Sequence, residues 1–115
     1  MPTLIIKTNA ELPPHPRDDL LQAASAAVAE LLGKPEGFVM VLVEPVADMS
    51  FGGDVTPCAY LELKSLGLPE DSTPALSAAL CDFMERHLGV PKARVYIEFA
   101  SPPRHLFGFD GRTFG

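Results

Sequence analysis

Two positions early in the chain carry groups that could do chemistry. Pro2 stands directly behind the initiator methionine in "MPTLIIKTN". Methionine aminopeptidases trim Met ahead of a small residue, and the product here would begin with a secondary amine, a base that no side chain reproduces. The geometric alternative is that proline is tolerated as the first residue of a strand, where its missing N–H serves no ladder bond. Lys34, in "LLGKPEG", follows a helix end, where the macrodipole favours a cation in any case. Taken alone, these residues leave both questions open. The other reactive side chains form no constellation. Cys58 and Cys81 lack CxxC or metal spacing and read as reduced structural thiols. His15, His87 and His105 are scattered singly and make no ligand set, so no metal site is expected. Glu70 and Asp71 are adjacent in a loop and read as solvated.

Residues of these kinds need a frame, and composition bounds it. A chain of 115 residues, 47% hydrophobic and 21% charged, is expected to form a single domain over 1–115 with one core, and not a disordered segment. No apolar run approaches the roughly 20 residues that span a bilayer, and no basic segment precedes an apolar stretch as in a signal peptide, so no membrane partner and a cytoplasmic location are expected. The net charge of −6 disfavours nucleic acid.

The frame itself is duplicated. Writing residue i above residue i+56 sets "ELLGKPEGFVMVLVE" against "RHLGVPKARVYIEFA", with Leu32 over Leu88, Gly33 over Gly89, Pro35 over Pro91 and Val39 over Val95. The same offset lays "PTLIIKTN" over "CAYLELKS", giving pseudo-repeats of about 2–56 and 58–115. Lys34 falls on Val90, so the shared geometry does not demand a lysine there. Each unit reads strand, helix, strand. Leu20, Leu21, Ala24, Val28, Leu31 and Leu32 recur at helical spacing, and Gly33 closes that helix. In the second helix Thr73 is expected as the cap, Pro74 as the first residue, Leu76, Leu80, Phe83 and Leu88 as the buried stripe, and Gly89 as the closing residue. Strands are expected near Thr3 to Thr8, Val39 to Glu44, Cys58 to Lys64 and Val95 to Phe99. Two right-handed crossovers then build an α/β fold with a four-stranded mixed sheet and both helices on one face. "VMVLV" is apolar without interruption and Leu4, Ile5 and Ile6 are adjacent, so the second sheet face also calls for cover. Another copy of the chain is the simplest cover, which implies a homo-oligomer with a site at the subunit boundary.

The proline behind Met1, the duplicated βαβ unit, "GKP", "FGG", "KSLG", "VYIEF" and a terminal "FDGRTF", in this order along the whole chain, resemble the macrophage migration inhibitory factor family, which includes D-dopachrome tautomerase. The resemblance implies a homotrimer whose sheets surround a central channel, with active sites between subunits. It also implies cofactor-independent keto–enol tautomerisation of phenylpyruvate-like 2-keto acids, and of dopachrome-type substrates, with Pro2 as the catalytic base. On the same resemblance Lys34 holds the substrate carboxylate and the Ser65–Leu66 segment anchors it through a backbone amide. Tyr96 comes from the neighbouring subunit as an aromatic wall, while Phe38, Phe107, Phe109 and Phe114 complete an apolar pocket. Read without it, Tyr96 and the phenylalanines are ordinary core or interface residues.

General chemistry agrees with the resemblance. Moving a proton between carbon and oxygen needs one group that takes and returns it with a pKa near the working pH. A free α-amino group titrates at about 7.7 to 8.0, a prolyl amine somewhat higher, and burial beside a cation lowers either. A lysine such as Lys34 can orient a carboxylate-bearing substrate and stabilise the developing enolate. Three departures qualify the family pattern. Leu61 in "CAYL" stands where some animal members have a second cysteine, so thiol oxidoreductase activity is not expected. Glu98 replaces an asparagine at the pocket mouth and Phe109 replaces a tryptophan at its rim. Three other readings remain: a non-catalytic cytokine-like interaction protein on the same scaffold, a ferredoxin-like ligand-sensing domain, and a small-acid decarboxylase or dehalogenase. The last wants further arginines at the pocket, for which Arg104 and Arg112 are the candidates.

Overall fold

The computed structural model describes residues 1–115. In chain order the principal elements are β1 (Thr3–Thr8), α1 (Asp18–Leu32), β2 (Met40–Pro45), β3 (Ala59–Lys64), α2 (Thr73–Leu88) and β4 (Val95–Ala100). A hairpin of β5 (Gly108–Phe109) and β6 (Arg112–Thr113) ends the chain, and single 3-10 turns lie at Glu36–Phe38, Glu70–Ser72, Lys92–Arg94 and Arg104–Leu106. The main sheet has the order β2-β1-β3-β4. β1 runs parallel to β2 and β3 parallel to β4, while the central pair β1 and β3 is antiparallel. This is the mixed four-stranded sheet with two helices that the sequence leads one to expect.

Alternation decides the two faces. Leu4, Ile6, Leu61 and Leu63 are fully buried beneath the helices, and Leu20, Ala24 and Val28 of α1 and Leu76, Leu80, Phe83 and Met84 of α2 meet them. Met84 takes the place expected for Leu88, which is only half-buried near the helix end. The opposite face bears Ile5, Met40, Leu42, Tyr60 and Tyr96, but charges interrupt it, with Lys7 3.8 Å from Glu44 and Lys64 3.9 Å from Glu62. That face is therefore a mosaic and not the uninterrupted apolar surface implied by "VMVLV".

Two expectations require correction. Val41 maps to Ile97 at the 56-residue offset, but strand pairing maps Leu4 to Leu61, one residue further on. The sequence alignment of β1 over β3 is thus displaced by one, and such a slip reverses every side chain; it would set buried Leu4 against half-exposed Tyr60. At α2, Thr73 is not the cap. The Glu70–Ser72 turn runs directly into the helix, Ser72 takes the cap position without a side-chain bond, and the Thr73 hydroxyl donates back to the Glu70 carbonyl at 3.0 Å. Glu70 and Asp71, expected in a loop, belong to that turn and are exposed as anticipated.

Candidate active site

The start of β1, the end of β3, the end of β4 and the end of α1 converge on one edge of the molecule, because the central strands are antiparallel and each outer strand is parallel to its neighbour. An open cleft of about 720 Å³ lies there. Met1, Lys34 and Phe38 line it from the first unit, and Leu66, Arg104 and Phe114 from the second, with Gly67 and the loop Ser101–Pro103 completing the wall.

Lys34 is positioned by the way α1 ends. Gly33 adopts the left-handed conformation (φ 61°, ψ 38°), which turns the chain so that the Lys34 amide donates to the Ala29 carbonyl at 3.0 Å. Its ammonium reaches no carboxylate in the chain. Pro2 is fully buried, and its carbonyl accepts from the Met40 amide at 3.0 Å, so it serves as the first ladder position of the sheet. With Met1 present, the Pro2 nitrogen is an amide and the free amine belongs to Met1, at the cleft. Burial first, and the Lys34 charge second, pull the pKa of that amine below its ordinary value of 8.0.

Beyond β3, the Ser65 side chain is fully buried, its hydroxyl donating to the Leu66 carbonyl at 3.3 Å and its amide to the Ala100 carbonyl at 3.0 Å. The Leu66 amide, by contrast, has no acceptor within the chain. Asp110 and Gly111, both with positive φ, form the two-residue turn of the terminal hairpin, a geometry for which Asp-Gly is a favoured pair. The hairpin folds Phe109 and Phe114 into a stack at 5.9 Å, with Phe38 edge-on to Phe109 at 6.2 Å and Phe107 6.0 Å from Phe114. Phe38 and Phe109 nonetheless remain about half exposed (48% and 47%), forming an aromatic rim instead of a core.

Tyr96 and Glu98 lie elsewhere. Both point from the open sheet face, and Tyr96 stands at the start of β4 whereas the cleft lies beyond its end, four residues and about 13 Å away. Tyr96 cannot line the cleft of its own chain. Its ring packs on Phe51 at 4.7 Å, and Phe51 lies under the Arg94 guanidinium, which donates to the carbonyls of Phe51, Asp54, Thr56 and Pro57. Of the two arginines that the sequence offered for the pocket, Arg104 lines the cleft; the Ser101–Pro103 loop ahead of it was missed. The "SPPR" stretch after a strand was the available signal, since consecutive prolines stop a strand and stiffen the segment behind it. Arg112 turns away to Asp110 at 3.3 Å.

The chain can now be set beside known proteins. The family model of macrophage migration inhibitory factor (MIF) matches residues 1–115. The macrophage migration inhibitory factor homolog of Trichinella spiralis is 36% identical over 115 residues, covering 99% of this chain and 100% of the relative. The Brugia malayi homolog is 40% identical over 96 residues, covering 83% and 84%. Among solved structures, the homologue from Prochlorococcus marinus superposes with a TM-score of 0.90 at 38% identity over 98% of this chain and 99% of its own. With matching extending from end to end in sequence and in backbone, the chain belongs to the macrophage migration inhibitory factor family.

Proposed function

We propose that this chain is a cofactor-independent keto–enol tautomerase of phenylpyruvate-like 2-keto acids, residues 1–115 acting as one tautomerase domain. The observation that carries the reading is the shared cleft of the amino terminus and Lys34, where the Met1 amine is made less basic by burial and by that lysine. In the working enzyme Met1 is removed and the Pro2 nitrogen becomes the terminal secondary amine. In its neutral form the amine takes a proton from C3 of the keto acid while the C2 carbonyl becomes an enolate, and then returns the proton to oxygen. Substrate and product are isomers, so nothing is consumed. Lys34 and the unpaired Leu66 amide hold the carboxylate, and Phe38, Phe109 and Phe114 receive the aromatic ring, with Phe107 behind Phe114. Ser65 supports the segment from beneath. The enolate forms beside a cation already in place, which lowers the barrier without reorganisation.

The assembly that fits this reading is a homotrimer with sites between subunits. The open sheet face supports it, and so does the position of Tyr96 and Glu98, which reach a cleft only if it belongs to another copy. Dopachrome-type substrates fall within the same chemistry. No helix is long and apolar enough to cross a membrane, and with two free thiols the working compartment in this reading is the cytoplasm. The test is phenylpyruvate ketonisation by protein whose N-terminus has been defined by intact mass. Turnover by the processed form supports the tautomerase; its absence in a correctly processed oligomer returns the chain to a non-catalytic interaction role.

A further inference from the structure

We infer that Arg104 is a second anion-binding group of the cleft, and that the substrate preferred at this site is a 2-keto acid carrying a second negative charge at its far end. The inference rests on the tautomerase reading for the keto acid, and on Arg104 itself for the second charge. In a chain of net charge −6, the cleft gathers the amino terminus, Lys34 and Arg104, and no Asp or Glu of the same chain lines it; Glu98 of a neighbouring copy is the one acid that the trimer reading brings to its mouth. Most other cations are occupied: Lys7, Lys64, Lys92 and Arg112 face acids, Arg94 is held by four carbonyls and Arg17 lies against His15, while Arg86, on α2, does not line the cleft. Arg104 has no carboxylate partner. Its Nε donates to the Phe114 carbonyl at 3.1 Å, which fixes the plane of the guanidinium and leaves both terminal nitrogens without a protein acceptor. Pro102 and Pro103 stiffen the approach, and the Arg104–Leu106 turn begins immediately. The result is a preorganised fork that matches a carboxylate, sulfonate or phosphate.

Different parts of the cleft wall hold the two cations. Lys34 leaves the end of α1 beside the amino terminus, whereas Arg104 is tied to Phe114 of the aromatic stack. An arylpyruvate with its keto-acid end at the amine and Lys34, and its ring on the phenylalanines, would present a ring-borne anion to Arg104. Arg112, which alternates with Arg104 as a sequence candidate, has no such role because Asp110 holds it.

The test compares 4-carboxyphenylpyruvate with phenylpyruvate as substrates of the processed protein and of Arg104→Gln, which removes the charge but keeps an N–H donor for the Phe114 carbonyl. The ratio of kcat/KM for the dianion to that for the monoanion is expected to fall roughly 10- to 100-fold in the variant. An unchanged ratio, including an equal fall on both substrates, overturns the inference. A calorimetric titration with 4-carboxycinnamate and cinnamate reads the same contrast without turnover. If the protein converts neither keto acid, the tautomerase proposal fails, while Arg104 still stands on tighter binding of 4-carboxycinnamate that Arg104→Gln abolishes and falls if the two acids bind alike.

Discussion

At Pro2, one nitrogen has two incompatible lives. Beneath Met1 it is an amide in a buried ladder position, and its carbonyl serves Met40 in either case. Freed, it would be an amine in the cleft. A variant that retains Met1, or carries one residue ahead of the proline, is therefore expected to fold normally and lose roughly 10²- to 10⁴-fold in kcat, the usual worth of a general base. Equal phenylpyruvate turnover by blocked and processed protein would reduce Pro2 to a strand start. Lys34 admits a two-part prediction. Lys34→Ala should raise KM for phenylpyruvate, with about 1 to 3 kcal/mol of transition-state binding lost with the charged hydrogen bond. It should also move the acid limb of kcat/KM to higher pH. The sign follows from the cation: Lys34 disfavours the ammonium form of the Met1 amine, and a Pro2 amine taking its place would stand near the same charge, so removing the lysine lets the base stay protonated to higher pH. A pH profile identical to that of the parent would show that Lys34 does not tune the amine.

Among the elements, the end of α1 matters most to the cleft, and its chemistry is simple. Gly33 has φ 61°, and nothing lies within 4 Å of where a Cβ would be, so Gly33→Ala meets no clash and carries only the left-handed backbone cost. Equilibrium urea unfolding should register a loss of about 1 to 2 kcal/mol with an unchanged m value. A change below the error of the method would mean that the turn relaxes, and the placement of Lys34 with it. The Gly33 and Gly89 caps and the two apolar stripes could be read from spacing because helix periodicity and a left-handed glycine are local properties. The cap of α2 could not. Thr73 lies next to a 3-10 turn, and whether its hydroxyl reaches forward amides or the Glu70 carbonyl depends on a backbone direction that composition does not specify. The short terminal hairpin was also missed, although Asp110-Gly111 in "FDGRTF" is a local signal for its turn.

For the whole molecule, the open sheet face sets the expectation. It joins Ile5, Met40, Leu42 and Tyr96 to ion pairs, and Met40 and Tyr96 are each more than 60% exposed in the single chain. Light scattering at micromolar concentration should report a trimer. Leu42→Glu, placed on that face in β2, should shift the population to smaller species while leaving the circular dichroism of the fold in place. A monomer with full activity would exclude a site shared between subunits.

The sequence by itself determined the duplicated strand–helix–strand plan, the helix-facing residues of α1 and most of those of α2, and the family, because periodicity, glycine caps and the order of short motifs are written along the chain. Only the tertiary structure decided the one-residue displacement between β1 and β3, since a strand's face depends on which partner it pairs with and in what register. Only it brought Arg104 beside the cleft that holds Met1 and Lys34, and separated Tyr96 from that cleft within one chain. Residues 34 and 104 are neighbours of one space because two parallel crossovers and an antiparallel centre carry separate ends of the chain to the same edge, and no local pattern encodes that meeting.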